Sequence, residues 1–106
     1  MYEVFVVLTD KQGVDRAEAL RHWANEHAEV GLRLPGLKAY TQYRSTGVPG
    51  GGSNEYIGIA ALTFDSEKAF VEMLSSPEFT EGVGDLGLWA DDSDIKMFGV
   101  ETQKYL

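Results

Sequence analysis

The sequence predicts an α+β domain in which four antiparallel strands carry the helices on one face. Three observations lead there. Runs of aromatic and β-branched residues with strand character recur at 2–8, 37–45, 55–64 and 95–102. Apolar stripes at helical spacing occupy 16–34 and 66–75. Their order, β-α-β-β-α-(α)-β, is that of the ferredoxin-like split βαβ arrangement. With no internal repeat or shift in composition, residues 1–106 are expected to form a single domain.

Residues 2–8 are apolar on both alternating faces, so this strand is placed at the centre of the sheet. Asp15 is expected to cap the first helix, with Glu18 three residues on completing an acidic capping box. The helix should run to Leu34, where Pro35 stops it and Gly36 frees the turn. The next strand alternates, with Leu37, Ala39, Thr41 and Tyr43 opposite Lys38, Tyr40, Gln42 and Arg44. Residues 46–54 hold four glycines and a proline and read as a mobile hairpin or lid. They are not a phosphate loop, because no Lys-Ser/Thr and no helix follow.

In the third strand Gly58, Ala60 and Ala61 are small enough to admit a close neighbour. Asp65 or Ser66 should cap a helix whose inward face is Phe70, Met73 and Leu74. Pro77 marks a fresh helix start, loosened by Gly82, Gly84 and Gly87. Asp91, Asp92 and Asp94 read as a solvated acidic turn before the last strand. Tyr, Ile, Val and Phe occur on both faces of several strands. The sheet face without helices would then be a large apolar patch, so a second copy of the chain is expected to cover it.

Seventeen acidic against nine basic residues give a formal charge of −8, which opposes binding to nucleic acid. No run approaches the length of a membrane span, and the start lacks a basic signal-peptide region. The absence of cysteine removes disulfides and thiolate chemistry and suits a cytoplasmic setting.

His27 is the leading candidate residue. On an ideal helix Leu20, Trp23, Ala24, His27, Gly31 and Leu34 fall within about 60° of one direction, so His27 faces the interior. His22 then points the opposite way, into water. At a spacing of five the two rings lie about 140° apart and cannot chelate one ion, so no metal is expected. No dinucleotide fingerprint or nucleophile elbow is present, and no cofactor is expected. A histidine whose pKa lies near neutrality, aimed at an apolar interior, is either a general acid–base or a hydrogen-bonded core residue. Trp23 either fills the core or walls a pocket. Tyr40 either fills the sheet surface or donates to a developing oxyanion. Trp89 either plugs the end of the core or closes the pocket.

Leu20, Trp23, His27-Ala28, Leu34-Pro35-Gly36-Leu37, Tyr40 and Gln42 together resemble the EthD family of small dimeric α/β-barrel proteins. Tyr56-Ile57-Gly58, Phe64-Asp65-Ser66 and Ser76-Pro77-Glu78 extend the resemblance over most of the chain. Glu29 departs from it, standing where the family usually has proline after His-Ala. The resemblance implies a homodimer whose two sheets form a barrel, with a pocket in each subunit between sheet and helices. It also tips His27 towards catalysis.

Members and structural cousins of this family include cofactor-free isomerases, cyclases, decarboxylases, dehydratases and oxygenases of small aromatic, polyketide or lactone-like molecules. The founding members are accessory proteins of ethyl tert-butyl ether degradation. The expected function is therefore proton transfer on such a substrate, with His27 and Tyr40 catalytic and Trp23 and Trp89 binding the ligand. A cofactor-free monooxygenase, a non-catalytic small-molecule-binding or accessory protein, and a structural dimer module are the alternatives.

Overall fold

The computed structural model describes residues 1–93 and 95–106; Asp94 of the acidic turn lies outside the described residues. Four strands, β1 (Tyr2–Thr9), β2 (Ala39–Arg44), β3 (Tyr56–Phe64) and β4 (Lys96–Val100), form one antiparallel sheet in the order β2-β3-β1-β4. β1 is internal, as its two apolar faces require. The register aligns Met97, Val6, Ala60 and Gln42 in one row across the sheet and Val4, Leu62 and Tyr40 in another. Both rows face the helices. A third row, Phe98, Phe5, Ala61 and Thr41, faces away from them.

The first helix, α1, is continuous from Arg16 but not uniform. It is α-helical over Arg16–His22, π-helical over Trp23–His27 and α-helical again over Ala28–Gly31. A wider i→i+5 turn frees backbone carbonyls and needs outside donors. Those donors come mostly from β2. Arg44 donates to the Leu20 carbonyl at 2.8 Å, and Gln42 Nε2 donates to the Trp23 carbonyl at 2.8 Å. Asn25 Nδ2 donates to the Arg21 carbonyl at 2.8 Å.

The helix ends at Gly31, three residues short of the expected Leu34, because residues 32–34 close as successive turns ahead of Pro35. The expected capping box is absent. Asp15 makes no side-chain cap, and Glu18 pairs with Arg21 at 2.7 Å instead.

Two further helices, α2 (Glu67–Met73) and α3 (Pro77–Leu86), start on Ser66 and Ser76, each of which accepts a backbone N–H at 3.1 Å. The glycine-loosened reading of α3 is corrected. With a serine cap and Pro77 in its first turn, the helix passes unbroken through Gly82 and Gly84. The chain then runs past Trp89 to the end of β1, where Asp91 N bonds the Thr9 carbonyl at 3.1 Å.

The core divides into two clusters. Leu8, Ala19, Trp23, Ile57, Ala60, Leu86, Trp89 and Ala90 form one; Val4, Leu62, Phe64, Phe70 and Met73 form the other. Val6 and Tyr40 touch both. Gly58 is needed at the first cluster. A Cβ there would strike the Tyr43 carbonyl and lie within 3.0 Å of the Trp23 ring. No helix among the described residues is long and apolar enough to cross a membrane.

Candidate active site

Between the two clusters lies a cavity of ≈ 150 Å³. The sheet provides its floor through Val6, Tyr40, Ala60, Leu62 and Met97, and the helices provide its roof through His27, Met73, Phe79 and Leu86. Among the described residues no Lys, Arg, Asp or Glu lines it; His27 and Tyr40 bring its polar side chains. The cavity thus holds two of the four residues singled out in the sequence. The other two, Trp23 and Trp89, are buried at 0% and 2% exposure and stack on each other at 6.0 Å, behind His27 rather than on the cavity lining. His27 meets Trp89 edge-on at 4.9 Å.

Asp85, on α3, organises the site and was not anticipated. Its Oδ2 accepts from His27 Nδ1 at 2.7 Å and from Trp89 Nε1 at 3.3 Å; its Oδ1 accepts from His22 Nε2 at 3.0 Å. An ionised carboxylate only accepts, so each ring nitrogen facing it carries the hydrogen. In neutral His27, which lines the cavity, this leaves the lone pair on Nε2. The expectation that His22 points into water is corrected. The wider π-helical turn swings residues five apart towards a common face. Both imidazoles therefore reach the same carboxylate, while Ala24, placed on the inward stripe by an ideal helix, is exposed. The argument that the two rings diverge fails with it. Among the described residues no cluster of three or more His, Cys, Asp or Glu is arranged to hold a metal ion.

The electrostatics follow from this packing. Burial pushes the His27 pKa below its ordinary value, and the Asp85 carboxylate pulls back only part of that shift. Burial also acts to raise Asp85, but the hydrogen bonds from His22 and His27 outweigh it and hold the carboxyl below its usual range. At neutral pH the site therefore holds a neutral His27 beside an ionised Asp85. Burial raises the Tyr40 pKa, so its hydroxyl keeps its proton. That hydroxyl accepts from Gln42 Nε2 at 3.1 Å, and its own O–H remains to donate. Gln42 is in turn held by Arg44 at 2.8 Å. Gly31 lets the Tyr40 ring lie close under α1, since a Cβ there would come within 2.7 Å of it.

One sequence signal pointed to Asp85. It stands four residues before Trp89, the spacing at which helical side chains meet. The three glycines around it concealed the helix.

These features define a ferredoxin-like domain with an apolar cavity and a carboxylate-oriented histidine in its wall. The chain belongs to the EthD family: the EthD domain matches residues 11–93. Among solved structures it is similar to an EthD family protein from Bacillus halodurans C-125, with TM-score 0.78 and 19% identity over 97% of this chain and 100% of that one. It is also similar to a dimeric ferredoxin-like protein of unknown function from Thermobifida fusca YX, with TM-score 0.71 and 12% identity over 95% and 90% of the two chains. A third is SnoaB, a cofactor-independent oxygenase from Streptomyces nogalater, with TM-score 0.66 and 18% identity over 99% and 96%. At such identities the likeness is one of fold. No curated protein matches the chain by sequence.

Proposed function

We propose that this protein is a cofactor-free enzyme that moves a proton on a small, uncharged, aromatic or enolisable substrate. One observation carries the reading: His27 stands in the wall of an apolar cavity with its Nδ1 fixed on Asp85 at 2.7 Å. Nε2 takes the proton, Asp85 stabilises the imidazolium that forms, and the Tyr40 hydroxyl donates to the oxygen on which negative charge develops. Trp89 holds the base from behind, with Trp23 stacked on it in turn, and through the base they orient the ligand.

The cavity also selects. A space of ≈ 150 Å³ accommodates about one aromatic ring. A ligand carboxylate would be buried without a cationic partner, at a cost of several kcal/mol. Single-ring ketones and phenols fit this chemistry; polycyclic or acidic compounds do not.

The working unit is a homodimer in the cytoplasm. On the sheet face away from the helices, the Phe5 ring lies 6.3 Å from both Tyr43 and Phe98, and the latter two are about half exposed. An aromatic band of this kind suits burial against a second copy, the assembly named for the Thermobifida relative.

Deuterium exchange into phenylacetone and cyclohexanone in D2O, followed by NMR, tests the base directly. Wild type should exceed His27→Ala by about 10²-fold or more. Equal rates in two folded proteins would remove His27 from the chemistry. The likeness to SnoaB makes oxygenation the second reading, since loss of a proton creates the electron-rich enolate that dioxygen attacks. Oxygen uptake measured in parallel separates the two.

A further inference from the structure

Proton abstraction needs one imidazole, yet the chain sets two against the same carboxylate. His22 is no bystander in the packing. Its Nε2 lies 3.0 Å from Asp85 Oδ1, and its ring stacks on Trp89 at 6.1 Å with 28° between the planes. Its side chain is 18% exposed, close to the 13% of His27. A π-helical turn, rare inside α-helices and frequent at functional sites, brings it there, with Arg44 and Gln42 serving the carbonyls that the turn releases. An ordinary helix would have left His22 in water.

We propose that His22 is a positioning residue for the cavity base: by holding the second oxygen of Asp85, it sets the orientation and the charge state of His27. The inference rests on the reading of His27 as that base. With Oδ1 tied to His22 and Oδ2 to His27, the carboxylate cannot rotate without breaking a bond, so the His27 ring is fixed from outside the cavity. One carboxylate also neutralises only one imidazolium. A proton on the outer ring engages the charge of Asp85 and opposes a proton on the inner ring.

Among the described residues, two other carboxylates act on the pair, both from the same helix. Glu18 feels the charge of His22 and is held by Arg21 at 2.7 Å; Glu26 places Oε2 3.7 Å from His22 Nδ1 and is held by Arg21 at 3.1 Å. From α3 comes Asp85 alone, from the segment after it the uncharged Trp89, and from β2 the Tyr40 hydroxyl across the cavity. His22 acts in the same direction as burial on His27, while Asp85 opposes both. Burial does most to keep the inner ring neutral, and a charge on the outer ring adds to it in the same direction, against Asp85.

Proton NMR tests this without any substrate, because the chain has only two histidines. The imidazole C–H signals are followed with pH in wild type and in His22→Gln, which keeps a donor for Oδ1 but never carries charge. In wild type the His27 signal should bend twice, because a proton on either ring moves it. In His22→Gln it should bend once, with a midpoint higher by about half to one pH unit. A single bend in wild type, or the same midpoint in both proteins, overturns the proposal. If His22→Gln does not fold, the wild-type curve decides alone. The titration is independent of the deuterium exchange that tests His27 as a base, so either can fail without the other.

Discussion

Asp85→Ala removes one side chain and strands three donors. Trp89 is 2% exposed, so its Nε1–H loses the Asp85 acceptor where water scarcely reaches, at about 1–3 kcal/mol. His22 and His27 remain partly open to solvent, at 18% and 13%, and water replaces much of what they lose; together they add roughly 1 kcal/mol. The total of about 2–4 kcal/mol corresponds to a fall in Tm of roughly 10–25 °C for a domain of this size.

The pH dependence gives a second reading of the same perturbation. His27 and Asp85 both have pKa values below their ordinary 6.5 and 3.8, so the folded chain binds fewer protons than the unfolded one. Wild-type stability therefore falls as pH drops below about 6.5, and falls again below about 3.8. In Asp85→Ala the partner that raises His27 is gone. The first loss extends to lower pH, and the contribution of Asp85 to the second disappears. Thermal denaturation followed by circular dichroism between pH 3 and 8 measures both. A shift in Tm below about 2 °C at pH 7.5, with the pH profile unchanged, would refute the view that this carboxylate anchors the site.

Three further outcomes follow from the packing. Gly58→Ala forces a methyl group onto the Tyr43 carbonyl and the Trp23 ring, and chemical denaturation should show a loss of about 1–3 kcal/mol or more. Gly31→Ala displaces the Tyr40 ring, but the gain of about 1 kcal/mol in helix propensity offsets much of the strain. The stability of that variant should change little, while its ketone exchange drops about tenfold or more as the hydroxyl leaves its place. Phe98→Glu puts a charge in the half-exposed aromatic band, and size-exclusion chromatography with light scattering should find a monomer with its fold intact. A wild type that is itself monomeric would overturn the sheet-to-sheet assembly.

Local patterning in the chain was enough to place the strands and helices in order and to show which face each strand presents. These depend on local periodicity: a strand such as β2 puts Tyr40 and Gln42 on one side and Tyr43 on the other whatever surrounds it. The inward aim of His27 was legible for the same reason, as was the small residue required at position 58. The resemblance through Trp23, His27 and Leu34-Pro35-Gly36-Leu37 led to the right family.

What depended on distant partners was not legible. The π-helical turn exists where side chains from β2, about twenty residues downstream, can serve its freed carbonyls, so an ideal-helix projection misplaced both His22 and Ala24. α3 persists through its glycines because its first turn is capped and Leu86 packs into the core, which outweighs their low propensity. Only the tertiary structure joined His22 and His27 to an aspartate some sixty residues away, because a hydrogen bond across that separation leaves no period in the sequence.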